Sequence, residues 1–192
     1  MAEQASATVP VFVEPTPNPN SLKFVLDRYV VKSGPYEFAS VDEASASPVA
    51  VEIFGITGVE GVFIGRNFVT VRKLDNATWD GIEARAIELI QKAVASGDSL
   101  VDESAGAEPT AADSGATGSE LTIRTILDEE IRPAVASDGG DVRFMSFDAG
   151  ILKLKLVGAC SGCPSSSMTL RMGIERRLRE DVPELLEVVS VD

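Results

Sequence analysis

The chain has 192 residues, 44% of them hydrophobic, with 17 basic against 30 acidic side chains and a net charge of −13. That size and hydrophobic share can bury one ordinary core or two small ones, and the negative balance argues against nucleic acid, whose binders carry a basic stripe. No stretch approaches the roughly 20 apolar residues that span a bilayer, and residues 1–9 have neither a basic n-region nor an Arg-rich composition, so a cytoplasmic protein without a membrane or nucleic-acid partner is expected.

In chain order, Val11 to Val13 and Leu22 to Leu26 read as short strands, because Leu22, Phe24 and Leu26 alternate with Lys23, Val25 and Asp27. Between them, the prolines of Pro15-Thr16-Pro17-Asn18-Pro19-Asn20 hold the backbone extended and forbid a helix. This run suits a rigid binding loop or a plain connector equally. Ser47-Pro48 reads as an N-cap and first helical residue, with Gly55 closing a short helix. Val59 to Ile64 and Phe68 to Lys73 predict a hairpin turning at Gly65-Arg66-Asn67. A helix follows from about Trp79 to Ser96, with Trp79, Ile82, Ala86, Leu89, Ile90, Ala93 and Val94 on one stripe and Gly97 at the C′ position.

Residues 97–119 contain five acidic residues and no basic or aromatic one. Such a stretch buries too little apolar surface to offset its ordering entropy, and it reads as a flexible acidic linker. The division expected is therefore 1–96, a first domain, 97–119, the linker, and 120–192, a second domain. In the latter, a helix from Leu121 to Ile131 is broken near Pro133, Asp138-Gly139-Gly140-Asp141 makes a tight turn, and Asp141 to Phe147 pairs with Ile151 to Val157 around Asp148-Ala149-Gly150. A helix from about Ser165 to Glu180 and a strand from about Leu186 to Val191 complete an α-β-β-α-β order. The fold class expected is α+β, two small α+β domains joined by the linker.

The chemistry concentrates in Gly158-Ala159-Cys160-Ser161-Gly162-Cys163-Pro164. These are the chain's two cysteines, and there is no histidine. Two cysteines three positions apart cannot staple a fold of this size. Without histidine the usual general base and the Ser–His–Asp triad are gone, so an enzyme is not expected. A Cys-x-x-Cys leading into a helix favours thiolates, because the helix N-terminus offers partial positive charge and N–H groups. That geometry serves a redox dithiol, a zinc site or an iron–sulfur site alike. Residues 151–180 carry Lys153, Lys155, Arg171, Arg176, Arg177 and Arg179 against Glu175 and Glu180. This basic island suits an anionic group or is simply a solvated face. Iron–sulfur clusters of the common types take four thiolates, as structural zinc takes four ligands. Either the dithiol needs no metal, or two chains pool Cys160 and Cys163 about a two-fold axis.

The run from Asp138 to Asp141, followed by Gly158 to Pro164 and Ser165-Ser166-Ser167, resembles the NifU-like C-terminal cluster-binding domain. Glu14-Pro15-Thr16-Pro17-Asn18-Pro19-Asn20-Ser21-Leu22-Lys23-Phe24, with Gly58-Val59 and Gly65-Arg66-Asn67-Phe68-Val69-Thr70-Val71, is similar to the N-terminal domain of Nfu-type proteins. The resemblance implies a carrier or scaffold that receives a 4Fe–4S cluster, with Cys160 and Cys163 as its ligands and as the metal-binding residues. It also implies a cluster-dependent homodimer, upstream cluster-assembly proteins that load it, and apo iron–sulfur proteins that accept from it. The thiol-free N-terminal domain is left with partner recognition or control of transfer. On helix spacing, Leu170, Ile174 and Leu178 are core, and Met168 and Met172, on another face, read as packing, ahead of a role at the dimer contact.

Overall fold

The computed structural model describes residues 9–102, 118–161 and 164–191. The chain divides into two compact units, residues 1–107 and 108–192, each mixing helix and strand as an α+β fold.

The N-terminal unit is a five-stranded antiparallel sheet of β1 (Val11–Pro15), β2 (Ser21–Leu26), β3 (Tyr36–Phe38), β4 (Val59–Ile64) and β5 (Phe68–Lys73), in the order β1-β2-β5-β4-β3. Helices α1 (Pro48–Phe54) and α2 (Ile82–Ala95) join one core with it. Alternation decides which side chains enter that core: Phe24 and Leu26 from β2, Val69 and Val71 from β5, and Val62 and Ile64 from β4 pack with Ile53, Ile82 and Ile90. Ser47 caps α1 by accepting from the Ala50 N–H at 3.3 Å. The proline-rich loop is pinned by hydrogen bonds. Thr16 Oγ1 donates to the Asn18 and Ser21 carbonyls, Lys73 Nζ donates to Asn20 Oδ1 at 2.8 Å, and Trp79 Nε1 donates to the Pro19 carbonyl. Trp79 thus stands ahead of α2 rather than inside it.

The domain boundary differs from the expected one. Leu100 and Val101 are buried in the N-terminal core. The Leu100 N–H donates to the Val30 carbonyl at 2.8 Å, its carbonyl accepts from Ser47 Oγ at 2.7 Å, and the Asp102 N–H donates to the Ala46 carbonyl at 2.7 Å. Two adjacent apolar side chains suffice to fold residues 98–102 back onto the first unit, so a linker beginning at 97 starts too early. The remaining part, 103–117, lies outside the described residues.

The C-terminal unit opens with α3 (Gly118–Ile126), passes through one π-type turn at Leu127–Ile131, and continues as α4 (Arg132–Ser137). Pro133 therefore does not end the helix. It falls in the first turn of α4, where its missing N–H is tolerated, after the wider turn has reset the register. Strands β6 (Gly140–Asp148) and β7 (Ile151–Gly158) form an antiparallel hairpin, and α5 (Pro164–Leu178) carries the chain to β8 (Glu187–Val191), parallel to β7. Val142, Leu152, Leu154, Leu156 and Val188 face the helices, meeting Ile123, Leu127, Ile174 and Leu178.

The hairpin turn holds Ala149 at φ +48° and Gly150 at φ +79°. Two successive positive φ values are what a two-residue type I′ turn demands. Glycine accepts this conformation, but an alanine Cβ does so at a cost of about 1–2 kcal/mol. Ala149→Asn, which tolerates the left-handed region, is expected to stabilise this unit by about 0.5–1 kcal/mol. A urea-denaturation midpoint that stays put or falls would contradict the turn assignment.

Candidate functional site

Cys160 follows the end of β7, with three residues between it and the start of α5. Its residue is 7% exposed, at the margin of the C-terminal core. Cys163 lies outside the described residues, as does Gly162.

The tight turn expected at Asp138 to Asp141 is the wall against which the cysteine loop is built. Asp138 ends α4, and Gly139 follows at φ +82°, the left-handed C′ conformation that glycine adopts without strain. The Gly139 carbonyl then accepts from the Ala159 N–H at 3.1 Å, one residue before Cys160. Gly140 pairs with Gly158 at the end of the hairpin. A Cβ placed on Gly140 would lie 2.8 Å from Cys160 Sγ and 2.7 Å from the Val157 carbonyl oxygen. The two glycines therefore act differently: Gly139 supplies a backbone angle and Gly140 supplies the space that the thiol occupies. The Ser161 N–H donates to the Gly158 carbonyl and tightens the loop. This steric relation was the part of the site missed in the sequence, although the motif that carries it stood out there as a turn.

Asp141 is buried beside this wall. Burial pushes its carboxyl above the usual range, while Arg132, the Val142 backbone and Arg143 pull it back and Asp128 adds to the rise. Arg132 Nε stands 3.6 Å from Asp141 and donates to the Val142 carbonyl at 3.1 Å, tying α4 to the start of β6.

Four of the six cations of the basic island have other places among the described residues. Lys153 and Lys155 lie on the β7 face opposite Leu152, Leu154 and Leu156. Arg177, about 20 Å along α5 from Pro164 at 1.5 Å per residue, is held by Glu130 at 2.6 Å and by Asp181. Those two carboxylates raise its already high pKa, and its hydrogen bond lowers that of Glu130. Arg179 pairs with Glu175 at 2.8 Å. Two of the six cations thus serve the far end of the helix.

Fold and loop define a two-unit α+β protein whose second unit presents a cysteine loop between a hairpin and a helix N-terminus. Residues 123–189 match the NifU-like domain, and residues 11–97 match the N-terminal domain of scaffold protein Nfu/NifU. With both domains present in this order, the chain belongs to the Nfu-type, NifU-like family. It is 40% identical over 182 residues to NifU-like protein 4, mitochondrial, of Arabidopsis thaliana, covering 93% of this chain. It is 38% identical over 185 residues to the NFU1 iron-sulfur cluster scaffold homolog, mitochondrial, of Drosophila willistoni, covering 96% of this chain. The chain spans 64% of the length of each. The solution structure of a NifU-like protein from Saccharomyces cerevisiae aligns with a TM-score of 0.48 at 26% identity, over 54% of this chain and 92% of that one.

The expectation of a cytoplasmic protein is overturned by these relatives, which are named as mitochondrial. The composition of nine residues is not by itself an address.

Proposed function

We propose that this chain is an iron–sulfur cluster carrier that holds a 4Fe–4S cluster between two copies, through Cys160 and Cys163 of each, and passes it to apo-proteins. The observation that carries this reading is the loop itself, a Cys-x-x-Cys set between a glycine-walled hairpin end and the start of α5. The cluster is cargo. Thiolates are the soft donors that such a group takes, and the chain has no histidine to favour a different metal. Among the described residues no three His, Cys, Asp or Glu side chains stand together as a rival hard-donor set. One copy offers two thiolates where a cluster takes about four, and a second copy completes the set. Gly140 leaves room for the Cys160 thiol, and the Gly139 carbonyl holds the strand end from which the loop departs.

Anaerobic reconstitution of the full chain, with iron and sulfide analysis and light scattering on one sample, tests this. The expected product is coloured and dimeric, with about two irons and two sulfides per chain. A monomer holding about four irons per chain, or a colourless zinc-bound dimer, would refute it.

A further inference from the structure

The register of the C-terminal hairpin gathers cations that the sequence holds apart. Arg143 on β6 lies directly opposite Lys155 on β7, and Lys153 lies opposite Ser146, beyond the irregularity at Met145. By alternation all three point to the sheet face away from α3, α4 and α5, whose strand partners are Val142, Leu152, Leu154 and Leu156. Like charges directly opposite one another on paired strands are destabilising, so Arg143 and Lys155 work against the pairing that holds them. Lys153 is exposed and Lys155 half-buried, and neither joins an ion pair among the described residues. The carboxylates of this face stand at its ends. Asp141, two positions before Arg143, is buried and drawn to Arg132 and Arg143 together, while Asp148 and Glu187 flank Ile151 at the hairpin turn. Beside the two lysines β8 sets Val189 and Val191, both half-buried.

We infer that this face is where a partner protein docks through an extended, carboxylate-rich segment laid along β7 toward the cysteine loop. Charge selects the partner. A chain of net charge −13 repels acidic molecules as a whole, and the strip of Arg143, Lys155 and Lys153 reverses that sign locally. Spacing selects the segment's shape. Lys153 and Lys155 are two strand positions apart, about 6.6 Å, and an extended segment repeats the side chains of one face at the same interval. Val189 and Val191 add apolar contact beside the charges, which suits a protein surface. Three cations make too few phosphate contacts to hold a nucleic acid against the chain's remaining carboxylates. From Lys155 strand β7 runs on to Gly158, about 10 Å away, so the docked segment ends beside the loop of Cys160. That the docked protein is the one exchanging the cluster rests on the proposed carrier reading, whereas the contact itself does not.

The test titrates a dye-labelled Glu-Ser repeat peptide into the unloaded full chain and follows fluorescence anisotropy at low and high salt. The variants are Lys153→Glu/Lys155→Glu and, with the same change of net charge on α2, Arg85→Glu/Lys92→Glu. The lysine pair variant is expected to weaken binding about tenfold or more at low salt. Its urea midpoint should hold or rise, because Lys155→Glu sets a carboxylate opposite Arg143. A face kept only for stability would not lose binding while gaining stability. The α2 variant is expected to bind like the wild type, and a Gln-Ser repeat peptide is expected not to bind. Equal binding by the lysine pair variant, or equal loss in the α2 variant, overturns the inference. So does tighter binding at this face of a single-stranded oligonucleotide or an anionic vesicle, or self-association of the wild type that the lysine pair variant abolishes. Iron content after anaerobic reconstitution is read on the same proteins and is expected to match between wild type and the lysine pair variant. If the wild type takes up no cluster, the carrier reading fails, and the docking face still stands on the anisotropy.

Discussion

Cys160→Ser and Cys163→Ser are each expected to abolish both the stable cluster and the dimer that comes with it. Every chain has two cysteines and no histidine to stand in for a lost one. In a site shared by two copies a single substitution removes two of about four ligands. A serine hydroxyl is a hard, weakly acidic donor and does not replace a thiolate on iron. The loss is therefore all or none rather than graded. Metal–ligand bonds supply most of the association in this reading, so unloaded variant and unloaded wild type should have the same mass. The two substitutions differ in their structural cost. Cys160 is buried at the core margin, and a hydroxyl there without a full set of partners costs about 1–3 kcal/mol. A denaturation curve taken beside the iron analysis separates that cost from loss of the ligand. Should Cys160→Ser or Cys163→Ser keep a cluster at wild-type yield, the ligand assignment is wrong.

Much of the fold was legible because its signals are local. The hairpin of β4 and β5 lies where alternation and Gly65-Arg66-Asn67 put it, and Ser47-Pro48 opens α1. Strand β3 was not legible: three residues, Tyr36–Phe38, are too few to show a period, and their pairing with Val62 and Ile64 is set by distant chain. Leu100 and Val101 were lost in an acidic stretch because their partners, Val30, Ala46 and Ser47, lie far back in the sequence. For the site, residue type and spacing marked Cys160 and Cys163, and the Asp-Gly-Gly-Asp run was visible as a turn. Its contact with the thiol was not, since 20 residues of hairpin separate Gly140 from Cys160. The charge count on residues 151–180 left two readings open for a related reason. Strand and helix geometry divide those side chains among a sheet face, a helix end and solvent, which a sum cannot express. Met168 and Met172 were expected to pack on a second face and are exposed, because helical spacing says which residues share a face, not what that face meets.

Gly140→Ala is expected to weaken the C-terminal unit and to lower cluster loading even where the variant remains folded. The added methyl carbon would sit 2.7 Å from the Val157 carbonyl oxygen, 2.8 Å from Cys160 Sγ and 3.2 Å from the Cys160 nitrogen. The first and third contacts are with backbone, and the Val157 carbonyl belongs to the strand paired with β6, so neither can step aside without loosening the end of the hairpin. The thiol can move, but only by leaving the position from which it would serve the cluster. Overpacking of this kind typically costs about 1–3 kcal/mol, and Gly140→Val should cost more. A substitution at Gly139 would act through its positive φ, at about 1–2 kcal/mol. The measurements are a urea melt, the rate at which a thiol reagent modifies Cys160 in a Cys163→Ser background, and iron content after reconstitution. A shifted thiol changes the modification rate of the folded protein, which a general loss of stability does not do once the unfolded fraction is subtracted. If Gly140→Ala keeps the wild-type melt, modification rate and iron content together, the space beside Cys160 has no part in holding the thiol.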